Sequence, residues 1–206
     1  MGSPGDETNE PAPSDPDRPA AGETAPVSAR IPQHVAGGVF CTSVAIFNGP
    51  AEFVLDFILR LGAPHMVVAR VVLAPLVVGQ FIAALRDNLS MYAGRFGPPP
   101  SLPVPPPGAV PAGVVQPGTP DDFYHELKFR DELLSGVYAN AVMIGHTPSE
   151  FWFDFITNFY PRSAVSCRVF MTAQQVPGLL DTLTTSFEAF QRRISGEPPL
   201  EPPPEE

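Results

Sequence analysis

The feature that most constrains the fold of this chain is an internal repeat. The stretch GVFCTSVAIFNGPAEFVLDFI, residues 38–58, is followed at a constant offset of 98 positions by GVYANAVMIGHTPSEFWFDFI, residues 136–156. The offset continues without a gap to Arg95 and Arg193, and about a quarter of the paired positions are identical. Similarity at one fixed spacing predicts two copies of a single module.

Changes in composition divide the chain into five segments. They are an acidic tail predicted to be disordered (1–30), a first repeat module (31–96), a Pro-rich linker (97–120), a second module (121–195) and a second acidic, disordered tail (196–206). A module of about 60 residues buries too little surface to be stable by itself. We therefore expect the two copies to pack together and share a core.

Each copy has the pattern of three strands followed by a helix. In the first copy the strands are predicted at 40–47, 52–58 and 67–73, and a helical apolar stripe begins after Pro75. The predicted fold class is α+β, with two tandem β-β-β-α modules packed as an intramolecular pseudo-dimer. Residues 121–136 fit a strand or a helix, and their alternation favours an added strand.

The second predicted strand separates its side chains by face. Phe53, Leu55 and Phe57 lie on one side, and their repeat partners are all phenylalanine, which predicts a core face. The opposite side mixes carboxylates with apolar residues, including Asp56 and Ile58. We expect another part of the chain to cover that side in part.

The acidity of the chain lies outside the modules. The formal net charge is −10, and it lies in residues 1–37, 97–135 and 195–206, which carry −4, −3 and −4. The repeated stretches themselves, residues 38–96 and 136–194, each contain four scattered arginines and no lysine. Binding to duplex nucleic acid needs clustered basic residues that displace counterions, so the charge disfavours such a partner.

The sequence gives no sign of a cofactor, a metal or a membrane span. Cys41 and Cys167 occupy different repeat positions, which predicts neither a disulfide nor a metal pair, and the four histidines have no metal-ligand spacing. The apolar run 66–85 is long enough to span a bilayer, but its repeat counterpart is polar, so a strand and a helix are favoured. A cytoplasmic protein is expected.

The most specific polar feature is a repeated pair of opposite charges. Asp56 and Arg70 lie in neighbouring predicted strands, and they recur as Asp154 and Arg168. We interpret both as structural cross-strand ion pairs that fix strand register. Glu52 and Glu150 follow a turn proline and are predicted to cap the turn rather than to act in catalysis.

Specific binding residues are expected where the two copies differ. The candidates are Trp152, Tyr138, Asn140 and His146. Trp152 has Val54 as its counterpart and is a candidate binding anchor. The simpler alternative is that Trp152 packs across the boundary between the two modules.

Several motifs are shared with a known family. The second copy contains Tyr138-x-Asn140 and then Pro148-x-Glu150-Phe151-x-x-Asp154-Phe155, and the first contains Glu52-Phe53-Val54-Leu55-Asp56-Phe57, Arg70-Val71-Val72-Leu73-x-Pro75 and Leu85-x-x-Asn88-x-x-x-Tyr92. These residues resemble the bacterial and archaeal domain-of-unknown-function family 3467, whose members usually carry one copy. Each copy departs from the family pattern, at Phe40 and Thr42 in the first and at Ala173 and Ser186 in the second. The resemblance implies no established reaction or ligand.

The sequence favours a non-enzymatic binding or scaffolding role with a protein partner. An alternative is a single-stranded nucleic-acid binder that stacks bases on Trp152, Tyr138 and Phe40 beside Arg70 and Arg168. An enzyme would instead need these ion pairs to converge with further polar groups in a pocket. Further self-association and recognition of the Pro-rich linker by a partner stay open.

Overall fold

The computed structural model describes residues 29–101, 124, 127–159 and 161–196. The two predicted disordered tails lie almost wholly outside these residues, as does most of the predicted linker. Within the described part of the chain, no helix is long and apolar enough to cross a membrane.

The first copy consists of a short helix, four strands and a long helix. They are α1 (Gln33–Ala36), β1 (Val39–Phe40), β2 (Ser43–Asn48), β3 (Phe53–Leu59), β4 (His65–Leu73) and α2 (Pro75–Phe96). Pro75 occupies the first turn of α2, where its missing N–H costs nothing, and Gly97 follows the helix with φ +85°. The third strand and the long helix agree with the sequence prediction.

The second copy repeats this order with small additions. Its elements are β5 (Leu127–Lys128), a 3₁₀ helix (Asp131–Leu133), β6 (Val137–Ala139), β7 (Ala141–His146), β8 (Glu150–Phe159), β9 (Arg162–Thr172), a second 3₁₀ helix (Ala173–Gln175) and α3 (Val176–Ser195). The ambiguous segment before this copy is therefore only partly a strand. β5 has two residues, and a 3₁₀ helix follows it.

The strands form two sheets that exchange strands between the copies. In one sheet the order is β1-β9-β8-β7, so β1 of the first copy pairs in parallel with β9 of the second. In the other sheet β2, β3 and β4 are followed by β5 and β6, which both pair in parallel with β4. Each sheet is thus completed by strands of the other copy.

The prediction of one continuous first strand was wrong, because the backbone passes from one sheet to the other within it. The Cys41 N–H donates to the Phe170 carbonyl at 2.9 Å, and the next N–H, that of Thr42, donates to the Ile58 carbonyl at 2.8 Å. Phe170 and Ile58 belong to different sheets. Alternation of side chains continues through such a crossing, so the sequence pattern does not reveal it.

One hydrophobic core joins the two copies. The predicted inner faces, with Phe53, Leu55 and Phe57 and their repeat partners, are fully buried in it. Each long helix packs on the sheet of the other copy. Phe81 of α2 lies 5.7 Å from Phe153 between ring centroids, and Phe190 of α3 lies 5.1 Å from Phe53.

The outer face of each sheet is covered by the segment that precedes the other copy. Val35 packs on Ile156 and Val165 of the second copy. Tyr124, Leu127 and Phe129 pack on a cluster of the first copy formed by Ala45, Ile58 and Val67. This arrangement accounts for the mixed composition of these faces.

The exchange predicts that the first copy is not stable by itself. A chain of residues 31–96 lacks β5 and β6, which cover the edge of β4, and exposes the apolar face of α2. We expect it to self-associate or to fold poorly, because an open strand edge and an uncovered core promote association. Size-exclusion chromatography with light scattering, together with urea unfolding, measures this. A stable monomer with a cooperative transition would contradict the shared core.

Candidate functional site: a cleft between the two copies

The two predicted ion pairs have nearly the same geometry. Asp56 lies directly opposite Arg70 in the β3–β4 register, and Asp154 lies directly opposite Arg168 in the β8–β9 register. Nε of Arg70 is 2.7 Å from Oδ1 of Asp56, and Nε of Arg168 is 2.6 Å from Oδ1 of Asp154. Both carboxylates are buried and accept a second bond from Nη2 of the same arginine. Each pair is therefore bidentate.

The surroundings of the two arginines differ. Nη1 of Arg70 donates to the Leu134 carbonyl at 3.0 Å, its Nη2 also contacts the Tyr124 hydroxyl, and its guanidinium lies 4.5 Å from the centroid of the Phe129 ring. Among the described residues, nothing accepts a hydrogen bond from Nη1 of Arg168. Arg70 is enclosed by the segment before the second copy, whereas the Nη1 donors of Arg168 have no acceptor in the described residues.

Hydrogen bonds and burial raise the pKa values of the side chains that bind the two aspartates. Both Arg70 and Arg168 have a raised pKa, chiefly because the guanidinium donates to its aspartate. The pKa of Tyr124 is raised well above its usual range, first by burial and then by the hydrogen bond to Asp56. The arginines are charged and the tyrosine is neutral across the physiological pH range.

A glycine with positive φ packs against each of these arginines. Gly38 (φ +59°) lies over Arg168 and Phe170, and its repeat partner Gly136 (φ +65°) lies over Arg70. A Cβ atom at position 38 would stand 2.9 Å from Cγ of Arg168, and one at position 136 would stand 2.7 Å from Cγ of Arg70. Each copy thus uses a repeated glycine to approach the ion pair of the other copy.

A cleft of about 320 Å³ opens where these elements meet, between β4 and β9. Its lining combines residues from both copies, and several are repeat partners, such as Arg70 with Arg168 and Val39 with Val137. The described residues that line it are His34, Val35, Gly38, Val39, Val68, Ala69, Arg70, Arg130, Leu133, Val137, Ser166, Cys167 and Arg168. A volume of this size is at the lower end of the range for small-molecule sites.

The reactive groups in the cleft wall are held in unreactive states. Burial raises the pKa of the Cys167 thiol to about 12, and the charge of Asp154 adds to the effect. The Ser166 hydroxyl is hydrogen bonded to the Thr157 hydroxyl at 2.6 Å. No group of three or more potential metal ligands occurs in the described residues.

Two of the predicted binding residues make contacts within the fold. Asn140 binds the backbone of Asn158 through its side-chain oxygen and nitrogen, at 2.7 and 3.0 Å. Its repeat partner Thr42 likewise accepts from the N–H of Arg60. His146 lies among aromatic rings, 5.1 Å from that of Phe151.

The other two candidates lie apart from each other. Trp152 is half-buried on the outer face of the β1-β9-β8-β7 sheet, and its indole lies over Gly145, where any side chain would overlap it. Tyr138 is exposed and stacks on Phe159, with ring centroids 6.2 Å apart. The four predicted binding residues therefore do not form one site, and their role in binding stays a prediction.

The residues that sequence reasoning missed are those contributed by the segments before the copies. His34 and Arg130 reach the cleft only because each segment crosses to the other copy. Their repeat positions hold unrelated residues, Glu132 and Pro32, so the repeat gives no signal for them. The shared glycines at 38 and 136 are the one sequence signal of a close backbone approach at this place.

Comparison with known proteins identifies the family of the chain. A family model described as "Protein of unknown function (DUF3467)" matches residues 6–99 and 115–195. The chain belongs to the DUF3467 family. It contains two tandem copies of the domain, so the resemblance inferred from the motifs is confirmed. No curated protein and no solved structure matches the chain.

The close approach of Gly38 can be tested with a neighbouring control. Gly38→Ala adds a Cβ that would stand 2.5 Å from the Phe170 ring and forces alanine into a positive φ. We expect it to lower the free energy of unfolding by about 1–3 kcal/mol, measured by urea denaturation. Gly37→Ala is the matched control, because Gly37 has φ −69° and no atom within 4 Å of an added Cβ. Equal effects of the two substitutions would contradict the close approach.

The state of the thiols predicts their reactivity. Burial raises the pKa of Cys41 even further than that of Cys167, so both thiols stay protonated at pH 8 in the folded protein. With a pKa of about 12, only about one Cys167 in ten thousand is a thiolate at that pH. Mass spectrometry after iodoacetamide treatment should find both cysteines unmodified in the native protein and modified in urea. Rapid native alkylation of Cys167 would contradict this.

Proposed function

We propose that the protein is a non-enzymatic binding and scaffolding protein. In this proposal two β-β-β-α modules pack as an intramolecular pseudo-dimer, the counterpart of a homodimer made by single-copy relatives. The strand exchange supports it, since β1 pairs with β9 and β6 pairs with β4 at repeat-equivalent places. The packing of each long helix on the other copy supports it further.

Joining the copies in one chain makes their association intramolecular. The effective concentration of two linked modules is on the order of millimolar for a linker that spans the distance. A duplicated gene can also diverge at one copy while the other keeps the packing. The differing environments of Arg70 and Arg168 are an example of such divergence.

The single observation that carries a binding role is the cleft between β4 and β9. It is lined by both copies, so neither copy contains the site alone. Its walls combine apolar side chains with a few polar groups, which is the usual composition of a ligand site. The site would then exist only in the assembled pseudo-dimer.

The bonding of the polar groups favours binding over catalysis. Asp56 and Asp154 each accept two hydrogen bonds from an arginine, which leaves them poor general bases. Cys167 has a raised pKa, and a protonated thiol is a weak nucleophile. We therefore propose a protein that binds its ligand without transforming it.

Single-stranded nucleic acid is a second candidate because of one row of aromatic residues. Phe40, Phe170 and Trp152 are successive register partners across β1, β9 and β8, so they share the outer face of that sheet. Bases could stack on such a row. Tyr138 lies elsewhere, and both nearby arginines are paired with aspartates, so we rank this candidate second.

The proposed setting is the cytoplasm, with a protein partner docking on the assembled pseudo-dimer. The near-neutral repeats support a protein partner over nucleic acid, because binding along a phosphate backbone needs many basic residues and each repeat has few. In this proposal the cleft ligand and the protein partner are separate, and the ligand would stabilise the form that the partner recognises.

The binding role is tested by screening the full chain against a fragment set that contains anionic, cationic and neutral compounds. Ligand-observed NMR should detect fragments that compete with one another for one site. Saturating fragment should also raise the stability of the fold, by about 2.7 kcal/mol at a hundred times the dissociation constant.

A variant that fills the cleft locates the site. Val68→Trp should abolish fragment binding, whereas Leu76→Trp, at an exposed position outside the cleft lining, should leave it unchanged. If the fragments bound both variants equally, their binding site would lie outside the cleft. The nucleic-acid candidate would be favoured instead if mixed oligonucleotides bound with micromolar affinity at low salt and this binding were lost in Trp152→Ala.

A further inference from the structure

The charged side chains that line the cleft all have the same sign. They are Arg70, Arg130 and Arg168, with His34 as a fourth basic group, and none of the described residues that line the cleft is a carboxylate. The two buried aspartates lie behind the arginines, on the sides away from Nη1. A ligand in the cleft would therefore meet basic groups and apolar walls.

These basic groups differ in how many of their hydrogen-bond donors already have an acceptor. Each guanidinium nitrogen of Arg70 has an acceptor, in Asp56, the Tyr124 hydroxyl or the Leu134 carbonyl. The repeat position of Leu134 is Ala36, and its carbonyl does not take the corresponding bond from Arg168. Nη1 of Arg168 thus has no acceptor in the described residues, while Nε and Nη2 hold the guanidinium in a fixed orientation.

Arg130 is the cleft arginine whose charge is least firmly paired. Arg70 and Arg168 are each neutralised by a buried aspartate. Among the described residues Arg130 forms an ion pair with Glu132 alone, with Nε 3.4 Å from Oε1, and both side chains are about two-thirds exposed, at 63% and 66%. Such a surface pair is weak and easily exchanged. An anion at the cleft entrance could replace Glu132 on Arg130.

The remaining wall is apolar and comes from both copies. Its apolar residues are Val35, Val39 and Val68 with Leu133 and Val137. The volume of about 320 Å³ corresponds to about ten water molecules at ~30 Å³ each. The space suits a compact organic molecule with one ring or a short chain.

We propose that the cleft binds a small organic anion, with a carboxylate or phosphate held by Arg130 and Nη1 of Arg168 and an apolar body against the valine and leucine walls. This inference rests on the proposed function and adds the class of ligand. Arg168 supplies an oriented, charged donor, and charge-assisted hydrogen bonds are the stronger ones. His34 also lines the cleft and adds a polar contact.

The test uses four probes that share one ring and differ in the attached group: benzoate, phenyl phosphate, benzamide and benzylamine. Their dissociation constants for the full chain are measured by NMR titration at low salt. We expect benzoate or phenyl phosphate to bind at least about tenfold more tightly than benzamide, the size of one charge-assisted hydrogen bond. Benzylamine should bind least. The better of the two anions identifies the acid group that the cleft prefers.

Two arginine variants show where the anion is held. Arg130→Gln should weaken anion binding about tenfold and leave benzamide binding unchanged. Arg86→Gln is the matched control, since it removes the same charge from an exposed position of α2 outside the cleft lining. Both positions are exposed, so both variants should fold. If both variants lost anion affinity equally, the effect would come from net charge alone. That result would overturn the assignment of Arg130 to the anion site.

The outcomes separate this inference from the proposed function. Benzamide or benzylamine could bind as tightly as benzoate and lose that binding in Val68→Trp. This result would overturn the preference for an anion and keep the cleft as a binding site. Failure of all four probes, while other fragments occupy the cleft, would also overturn the anion alone. If no compound of any class enters the cleft, both proposals fail.

Discussion

The whole arrangement depends on the passage of the backbone from one sheet to the other at Cys41 and Thr42. Two successive N–H groups donate to carbonyls of different sheets, so the two sheets are tied together by main-chain hydrogen bonds. Because buried backbone groups must be paired, these bonds fix how the copies approach each other. The shared aromatic core, the covered strand edges and the cleft all follow from this crossing.

The repeated ion pairs show how a buried charge can specify register. Asp56 and Arg70 face each other directly in the β3–β4 register, and the same holds in the second copy. A slip of one residue would leave a buried carboxylate without its partner, which is strongly unfavourable. The glycines at positions 38 and 136 then allow the other copy to approach these pairs without a side chain between them.

Divergence between the copies created the asymmetry of the molecule. Tyr124 and Phe129 enclose Arg70. In the matching segment before the first copy, Val35 packs on Ile156 and Val165 and lines the cleft with Arg168. A similar exchange occurs on the outer sheet faces, where Gly145 and Trp152 take the places of Phe47 and Val54. The Asp56–Arg70 pair is thus enclosed. Arg168 lines the cleft with an Nη1 that has no acceptor in the described residues.

The sequence by itself determined the duplication, the strand and helix periodicity, the inner aromatic faces and the pairing of Asp56 with Arg70, because these depend on local spacing and on repetition. Only the tertiary structure decided that β1 leaves its own sheet, that α2 packs on the second copy and that Arg130 and His34 line a common cleft. Alternation of side chains records which face a residue occupies but not which sheet it joins. The position of the cleft follows from contacts between the copies, and of these only the close approach at Gly38 and Gly136 has a local signature in the chain.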